Sequence, residues 1–138
     1  MTGIVVGWTP DEYGAVAVEH AAAEAALAGS SVILVNGSKG DAYVDQRWAS
    51  PEQLDEVRAD LEGRGVTVEV RQVVAQDVGQ AVLTVAREVD ATLVVLGIRR
   101  RSPVGKLLMG SVAQRVLLDA ECPVLAVKPG SRPRVARH

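Results

Sequence analysis

The fold is decided by residues 93–111, which read LVVLGIRRRSPVGKLLMGS. The apolar run at residues 93–96 predicts a buried strand, and the spacing of Leu108, Val112 and Val116 predicts a helix after it. A basic loop that contains glycine lies between the two. A helix that starts behind such a loop has unpaired backbone N–H groups at its first turn, where the helix dipole also favours negative charge. The stretch therefore predicts a strand, a loop and a helix that together form a phosphate site.

The rest of the chain alternates strands with helices. Short apolar runs predict strands at residues 3–7, 31–36 and 123–127, and the alternation of apolar and polar residues at 66–74 predicts a half-exposed strand at a sheet edge. Helices are predicted at about 13–27, 50–62, 77–90 and 110–119. Two helices carry capping boxes, Ser50 with Gln53 and Asp77 with Gln80, and Gly29 is placed to end the first helix. This alternation predicts an α/β fold, with a parallel sheet and helices on both of its faces.

Two segments do not belong to this alternation. Residues 37–49 contain two glycines and show no periodicity, which indicates a loop. Residues 129–138 have the composition of a disordered end, rich in arginine and proline. We therefore expect residues 1–128 to form a single domain, followed by a basic, disordered tail at residues 129–138.

Positive charge is concentrated in the last third of the chain. From Ala91 onward nine basic residues stand against two acidic ones, a balance of +7, whereas the first ninety residues carry −9. A local basic region on a chain of net charge −2 favours a small anionic ligand over nucleic acid, which usually needs a basic face across the domain. The basic loop has a simpler interpretation as a solvated turn, but its place between a strand and a helix favours an anion site.

Several kinds of site are not expected. Cys122 is the only cysteine, so no internal disulfide can form, and we expect it to be a small buried apolar residue. His20 has no partner at metal-ligand spacing, which indicates a surface residue and no metal site. The sequence has no nucleophile elbow and no Walker lysine loop, so we predict no catalytic residues. It also has no signal peptide or membrane span, which predicts a cytoplasmic protein.

The sequence resembles the universal stress protein family from Gly3 to Lys128. The family signature is G-x2-G-x9-G-[ST], whose backbone and hydroxyl groups hold the phosphates of ATP in nucleotide-binding members. Here Gly97, Gly110 and Ser111 match the signature, and Arg100 takes the place of its middle glycine. The closing segment Cys-Pro-Val-Leu-Ala-Val, at residues 122–127, matches as well. The resemblance implies the strand order 3-2-1-4-5 of an adenine nucleotide alpha hydrolase-like fold.

Three positions depart from the family pattern. An arginine at position 100 restricts the turn, yet its planar fork of donors could contact phosphate, so it either replaces a backbone contact or blocks the pocket. Thr9 takes the place of an aspartate near the base and ribose, and Asp11 comes two residues later. The pair Gln76-Asp77 resembles the family's Gly-Asp turn with the glycine replaced.

The resemblance implies a small cytoplasmic stress-response protein that binds ATP, with Mg²⁺, or AMP at the carboxyl ends of strands 1 and 4. It implies no enzyme activity beyond slow, incidental ATP hydrolysis. Asn36 has an alternative role at a turn, and Ser111 has one as the cap of the last helix. The implied nucleotide-binding residues are Gly7, Thr9, Pro10, Asn36, Gly97, Arg99, Arg100, Gly110, Ser111 and Val112.

Other interpretations stay open. The substitutions at Thr9 and Arg100 motivate the alternative of a universal stress protein that binds no nucleotide and acts as a dimeric regulatory or interaction protein. Members commonly dimerise through the last strand, here from Pro123 to Val127, so the resemblance implies a homodimer. An enzyme that forms or cleaves an AMP linkage needs a serine-glycine-glycine loop, which the segment after the first strand lacks. The arginine tail would attach to nucleic acid only weakly.

Overall fold

The computed structural model describes residues 3–40, 46–99 and 110–133. Its five strands form one parallel sheet in the order β3-β2-β1-β4-β5. The predicted α/β fold and strand order are therefore confirmed, with β3 and β5 at the edges. The elements in chain order are β1 (Gly3–Gly7), α1 (Glu12–Ala28), β2 (Ser31–Ser38), α2 (Pro51–Gly63), β3 (Val68–Val74), α3 (Val78–Glu88), β4 (Leu93–Gly97), α4 (Ser111–Asp119) and β5 (Val124–Val127).

The sheet separates two apolar cores. Successive residues of a strand point to opposite faces, so a central strand covered by helices on both sides is apolar throughout. In β1, Ile4 and Val6 pack with α1 and α2, whereas Val5 packs with α3 and α4. The alanines of α1 supply little side-chain bulk, which lets this helix lie close to the sheet. No helix in the described ranges is long and apolar enough to cross a bilayer.

The helix ends follow their local sequence. Gly29 ends α1 in the left-handed conformation at φ 66°, and its N–H donates to the Ala25 carbonyl. Ser50 and Gln53 form both halves of the predicted capping box, at 3.2 and 2.9 Å. At α3, Asp77 Oδ1 accepts from the Gln80 N–H at 3.0 Å, while Asp77 Oδ2 accepts from Arg115 of α4. The caps predicted at Gly29 and Ser50 are confirmed, whereas Asp77 forms only one half of its predicted capping box and also binds another helix.

Some predicted boundaries are wrong. β2 continues through Gly37 to Ser38, which pairs with Val74 of β3, so the loop after it begins later than predicted. Residues 41–45 of that loop lie outside the described residues. β3 begins at Val68 instead of Val66, although Val66 is buried. Pairing with a neighbouring strand decides these ends, and pairing is not visible in a local pattern.

His20 and Cys122 differ from expectation. His20 is buried, with only 8% of its surface exposed, so the predicted surface position is wrong. Its Nε2 lies 3.1 Å from Ser131 Oγ, which donates to the Lys128 carbonyl at 2.7 Å. Residues just after β5 therefore turn back onto α1, and residues 134–138 of the predicted tail lie outside the described residues. Cys122 is half-buried instead of fully buried.

Candidate functional site

A cavity of about 320 Å³ opens at the carboxyl ends of β1 and β4. The chain leaves these two adjacent strands toward opposite edges of the sheet, and open α/β sheets bind ligands at such a point. The first turns of α1 and α4 line two of its sides. Seven of the ten residues that the sequence predicts line this cavity: Gly7, Thr9, Gly97, Arg99, Gly110, Ser111 and Val112.

The first turn of α4 has no side-chain cap. Its N-cap residue is Gly110, at φ −67° and ψ 159°, and no side chain of the described residues accepts a hydrogen bond from this turn. Ser111 is the first residue of the helix, so its predicted role as the cap is wrong. Residues 111–113 line the cavity, and the N–H groups of a first turn have no partner within their own helix. The cavity therefore ends on backbone donors at the positive end of a helix dipole.

The two signature glycines are glycine for different reasons. A Cβ on Gly97 would lie 2.2 Å from the Tyr13 carbonyl oxygen, so glycine lets the first turn of α1 approach β4. A Cβ on Gly110 would meet nothing within 4 Å, and its φ is open to any residue. Packing explains Gly97, whereas Gly110 leaves space beside the uncapped helix end.

Thr9 and Asp11 form one unit at the start of α1. Thr9 Oγ1 donates to Asp11 Oδ1 at 2.6 Å, and the same oxygen accepts from the N–H groups of Tyr13 and Gly14, each at 3.1 Å. Thr9 and Asp11 both line the cavity. A carboxylate thus already caps the N-terminus of α1, so the anion-binding end of the cavity is the N-terminus of α4.

Asn36 lies outside the cavity and ties the sheet to the segment before α2. It is fully buried within β2. Its Nδ2 donates to the carbonyls of Trp8 and Arg47 at 3.0 and 2.7 Å. Its Oδ1 accepts from the Ala49 N–H at 2.9 Å and from Gln72 Nε2 at 3.0 Å. The amide has used its hydrogen-bonding capacity inside the fold, so the turn role is wrong and the predicted ligand contact gives way to a structural role.

Pro10 is likewise not among the residues that line the cavity. Pro10 lines a separate groove between α1 and α2. Arg100 lies outside the described residues, as does the rest of the basic loop to residue 109.

The structure adds residues that sequence reasoning does not assign to the site. Trp8, Asp11, Tyr13 and Arg47 line the cavity. Asp11 carries a sequence signal, because an aspartate just before a helix favours the N-cap position that faces this edge of the sheet. Arg47 has no such signal, since it belongs to a segment without periodicity; its carbonyl accepts a hydrogen bond from the Asn36 side chain.

A second groove, which we call the neighbouring groove, has a volume of about 440 Å³. Gln76 and Asp77 line it, so the turn that resembles the family's Gly-Asp pair lies beside the cavity and not in it. The backbone N–H of Gln80, and then the Arg115 guanidinium, lower the pKa of Asp77. Asp77 is therefore ionised near neutral pH and binds Arg115 at 2.9 Å.

Another cavity, of about 430 Å³, lies at the amino ends of the strands, where Ala91 and Cys122 precede β4 and β5. Burial raises the pKa of the Cys122 thiol, which keeps it protonated and weakly nucleophilic. The described residues include no group of three or more histidine, cysteine or acidic side chains that could hold a metal ion.

Comparison with known proteins gives consistent matches. Residues 1–128 match the model of the universal stress protein family. A universal stress protein of Mycolicibacterium smegmatis is 49% identical over 126 residues, which cover 91% of this chain and 97% of that protein. The structure of the universal stress protein from Archaeoglobus fulgidus in complex with dAMP has a TM-score of 0.69 at 26% identity. The match covers 93% of this chain and 98% of that protein. The structure of a universal stress protein in complex with cAMP has a TM-score of 0.72 at 25% identity, and the match covers 94% of this chain and 98% of that protein.

Proposed function

Because the chain belongs to the universal stress protein family and has its adenine nucleotide alpha hydrolase-like fold, we propose that it binds an adenine nucleotide between β1 and β4. The observation that carries this proposal is the uncapped first turn of α4 on the cavity wall, which offers backbone donors to a phosphate. The dAMP and cAMP complexes of two related proteins support a ligand with adenine and one phosphate. AMP meets the same description, and ATP with Mg²⁺ carries the same adenine on a longer phosphate chain.

The lining residues divide between the two ends of the proposed ligand. Gly110, Ser111 and Val112 bind the phosphate through the first turn of α4, and Arg99 adds positive charge. Gly7, Thr9 and Gly97 lie beside the ribose and base. Arg100 stays a predicted phosphate contact.

Asp11 supplies the charge that Thr9 lacks. Its Oδ1 is occupied by the Thr9 hydroxyl and two backbone N–H groups, which orient the carboxylate in the cavity wall. A carboxylate beside a nucleotide accepts hydrogen bonds from ribose hydroxyls. We infer that Asp11 takes the place of the aspartate that the family usually carries at position 9.

The proposed role is binding without catalysis, in the cytoplasm and as part of a stress response. Neither histidine nor cysteine occurs among the described residues of the cavity wall, so no pair of a nucleophile with a histidine base is formed by those residues. Membership of the universal stress protein family supports the stress role.

Replacing Gly110 with aspartate is expected to weaken nucleotide binding while it stabilises the fold. The new carboxylate would accept from the N–H groups of α4, as Asp11 does at α1, and would occupy the phosphate position. We expect the affinity for AMP to fall by about tenfold or more, the effect of losing hydrogen bonds to a charged group. The free energy of unfolding should rise by up to about 1 kcal/mol. Calorimetric titration and urea denaturation measure the two effects.

Asparagine at the same position is the matched control for Gly110→Asp. It can cap the helix without adding charge, so the affinity should fall less than with aspartate. Wild-type protein that binds none of AMP, ADP or ATP at millimolar concentration would refute the proposed function. If the affinity for AMP is the same in Gly110→Asp as in the wild type, the phosphate does not bind at the first turn of α4.

We also propose a homodimer through β5. This strand is an edge of the sheet, and Val124, Leu125 and Ala126 are only half-buried. The adjacent helix α4 exposes Leu118 to 81% of its full area. An edge strand with apolar surface beside it favours pairing with a second copy. Sedimentation at micromolar concentration should give the mass of a dimer. A monomeric mass would contradict the proposed homodimer, and with it the interpretation of the chain as a dimeric regulatory protein.

A further inference from the structure

A groove of about 540 Å³ lies between α1 and α2, and we call it the α1–α2 groove. Both helices cover the same face of the sheet, but α1 packs mainly on β4 and β1, whereas α2 packs mainly on β3. The groove between them has the size of a ligand pocket. Trp8 and Asp11 form its boundary with the nucleotide cavity, because they line both.

The floor of the α1–α2 groove is apolar. Trp8 at the end of β1 and Val18 of α1 are only 6% and 3% exposed. Val57 of α2 is half-buried and packs against the same core. A side chain that enters the groove is therefore removed from water against an apolar surface, which favours an aliphatic or aromatic side chain.

The buried indole of Trp8 has an N–H without an acceptor. None of the residues that the structure describes accepts a hydrogen bond from it. Its Nε1 would lie 2.8 Å from a Cβ on Gly14. Gly14 belongs to the same stripe of α1 as Ala15 and Val18, which line the groove, so the N–H lies at the groove floor. A carbonyl oxygen in the groove would accept from this donor and relieve the cost of burying it unpaired.

The rim of the α1–α2 groove is acidic. Glu19 of α1 and Glu56 of α2 are exposed on its opposite walls, and neither forms an ion pair or hydrogen bond with a described residue. Arg64 also lies on the rim, but Asp60 binds it at 3.3 Å and offsets its charge. The two carboxylates therefore attract a ligand that carries cations on both sides of its apolar group.

We propose that the α1–α2 groove binds an extended protein segment in which an apolar residue stands between two lysine or arginine residues. The apolar side chain contacts Trp8 and Val57, and a backbone carbonyl of the segment accepts from the indole N–H. Because the neighbours of an inward-facing residue point outward in an extended chain, they reach the rim and bind Glu19 and Glu56. This interaction surface is additional to the proposed function and does not depend on nucleotide binding.

Two peptides test the proposal in the absence of nucleotide. Arg-Leu-Arg-Leu-Arg and Arg-Gly-Arg-Gly-Arg have the same charge and differ only in their apolar side chains. Fluorescence anisotropy of labelled peptides should show that the wild-type protein binds the leucine peptide about tenfold more tightly than the glycine peptide. This is the gain expected when one leucine side chain is partly buried.

The double variant Glu19→Gln/Glu56→Gln should bind the leucine peptide about fivefold more weakly than the wild type, the loss of two ion pairs at the surface. Glu12→Gln/Glu62→Gln is the matched control. It removes the same charge from exposed positions of the same two helices, and neither position lines the α1–α2 groove or the nucleotide cavity. Its affinity for the leucine peptide should stay within about twofold of the wild type.

The emission of Trp8 locates the bound peptide. The chain has two tryptophans, so Trp48→Phe leaves Trp8 as the only one and its fluorescence then reports on the groove floor. We expect this emission to change in intensity and wavelength when the leucine peptide binds. Binding that leaves the emission of Trp8 unchanged would overturn the inference.

Three further results would also overturn it: no binding of the leucine peptide at millimolar concentration, equal affinities for the two peptides, and equal losses in the two double variants. A second copy of the chain is the other candidate occupant. If sedimentation shows that Glu19→Gln/Glu56→Gln alone loses the mass of the dimer, the groove belongs to an interface between copies and the inference fails. Each of these outcomes leaves the proposed nucleotide binding to its own test.

Discussion

Replacing Gly14 with alanine is expected to destabilise the protein by about 3 kcal/mol or more. Gly14 lies in the first turn of α1, and an added Cβ would stand 1.7 Å from the Thr9 carbonyl oxygen. That oxygen belongs to the backbone, so the clash is relieved only if α1 moves away from the end of β1. Urea denaturation should show a lower midpoint with an unchanged slope.

Gly63→Ala is the matched control, since Gly63 also lies in a helix. A Cβ there would meet nothing within 4 Å, and the residue is exposed. Alanine has the higher helix propensity, so this change should stabilise the protein by up to about 1 kcal/mol. The same substitution is therefore expected to act with opposite sign in the two helices. A Gly14→Ala variant as stable as the wild type would show that the first turn of α1 is not closely packed.

Replacing Asn36 with aspartate should cost about 3 kcal/mol of stability at pH 8. The change keeps the shape but removes both N–H donors. It leaves an oxygen facing the carbonyls of Trp8 and Arg47, which now lie 3.0 and 2.7 Å from Nδ2. A carboxylate there is buried against two acceptors, whereas a protonated carboxyl can still donate to one of them.

The cost of Asn36→Asp should depend on pH in a defined direction. Burial and the two carbonyls raise the pKa of the new carboxyl above its unfolded value, so the folded state binds more protons than the unfolded state. Stability relative to the wild type then falls as pH rises from the unfolded pKa through the folded one. We expect the loss at pH 8 to exceed the loss at pH 5 by at least about 1 kcal/mol, measured by urea denaturation.

Gln72→Glu is the control for Asn36→Asp, because it makes the same amide-to-carboxylate change at an exposed residue of the same network. Its cost should stay near 1 kcal/mol or less and vary little between pH 5 and pH 8. A pH-independent cost for Asn36→Asp would contradict the buried role of the Asn36 amide.

Features that depend on neighbouring residues were predictable from the sequence. The caps at Gly29 and Ser50 each involve residues three to five positions apart, and both occur where the pattern places them. Apolar runs likewise locate β1, β2, β4 and β5, and the alternation of apolar and polar residues locates the half-exposed edge strand β3. The strand order came from the resemblance to a family and not from the runs themselves.

Features that depend on distant contacts were not predictable. Asn36 is fully buried because Trp8, Arg47, Ala49 and Gln72 converge on it, and no local pattern shows that convergence. His20 is buried beneath Ser131, which lies 111 positions away in the chain. In the candidate site, the signature located Gly110 and Ser111, while Arg47 came only from the structure.

The first turns of α1 and α4 face the same cavity with unequal freedom to change. Close packing at Gly14 and Gly97 leaves no room for even one methyl group beside the first turn of α1. The open space at Gly110 accepts a side chain on the α4 side. We therefore expect substitution at the start of α4 to give variants with altered ligand preference and an intact fold, with α1 as the constant wall of the proposed binding site.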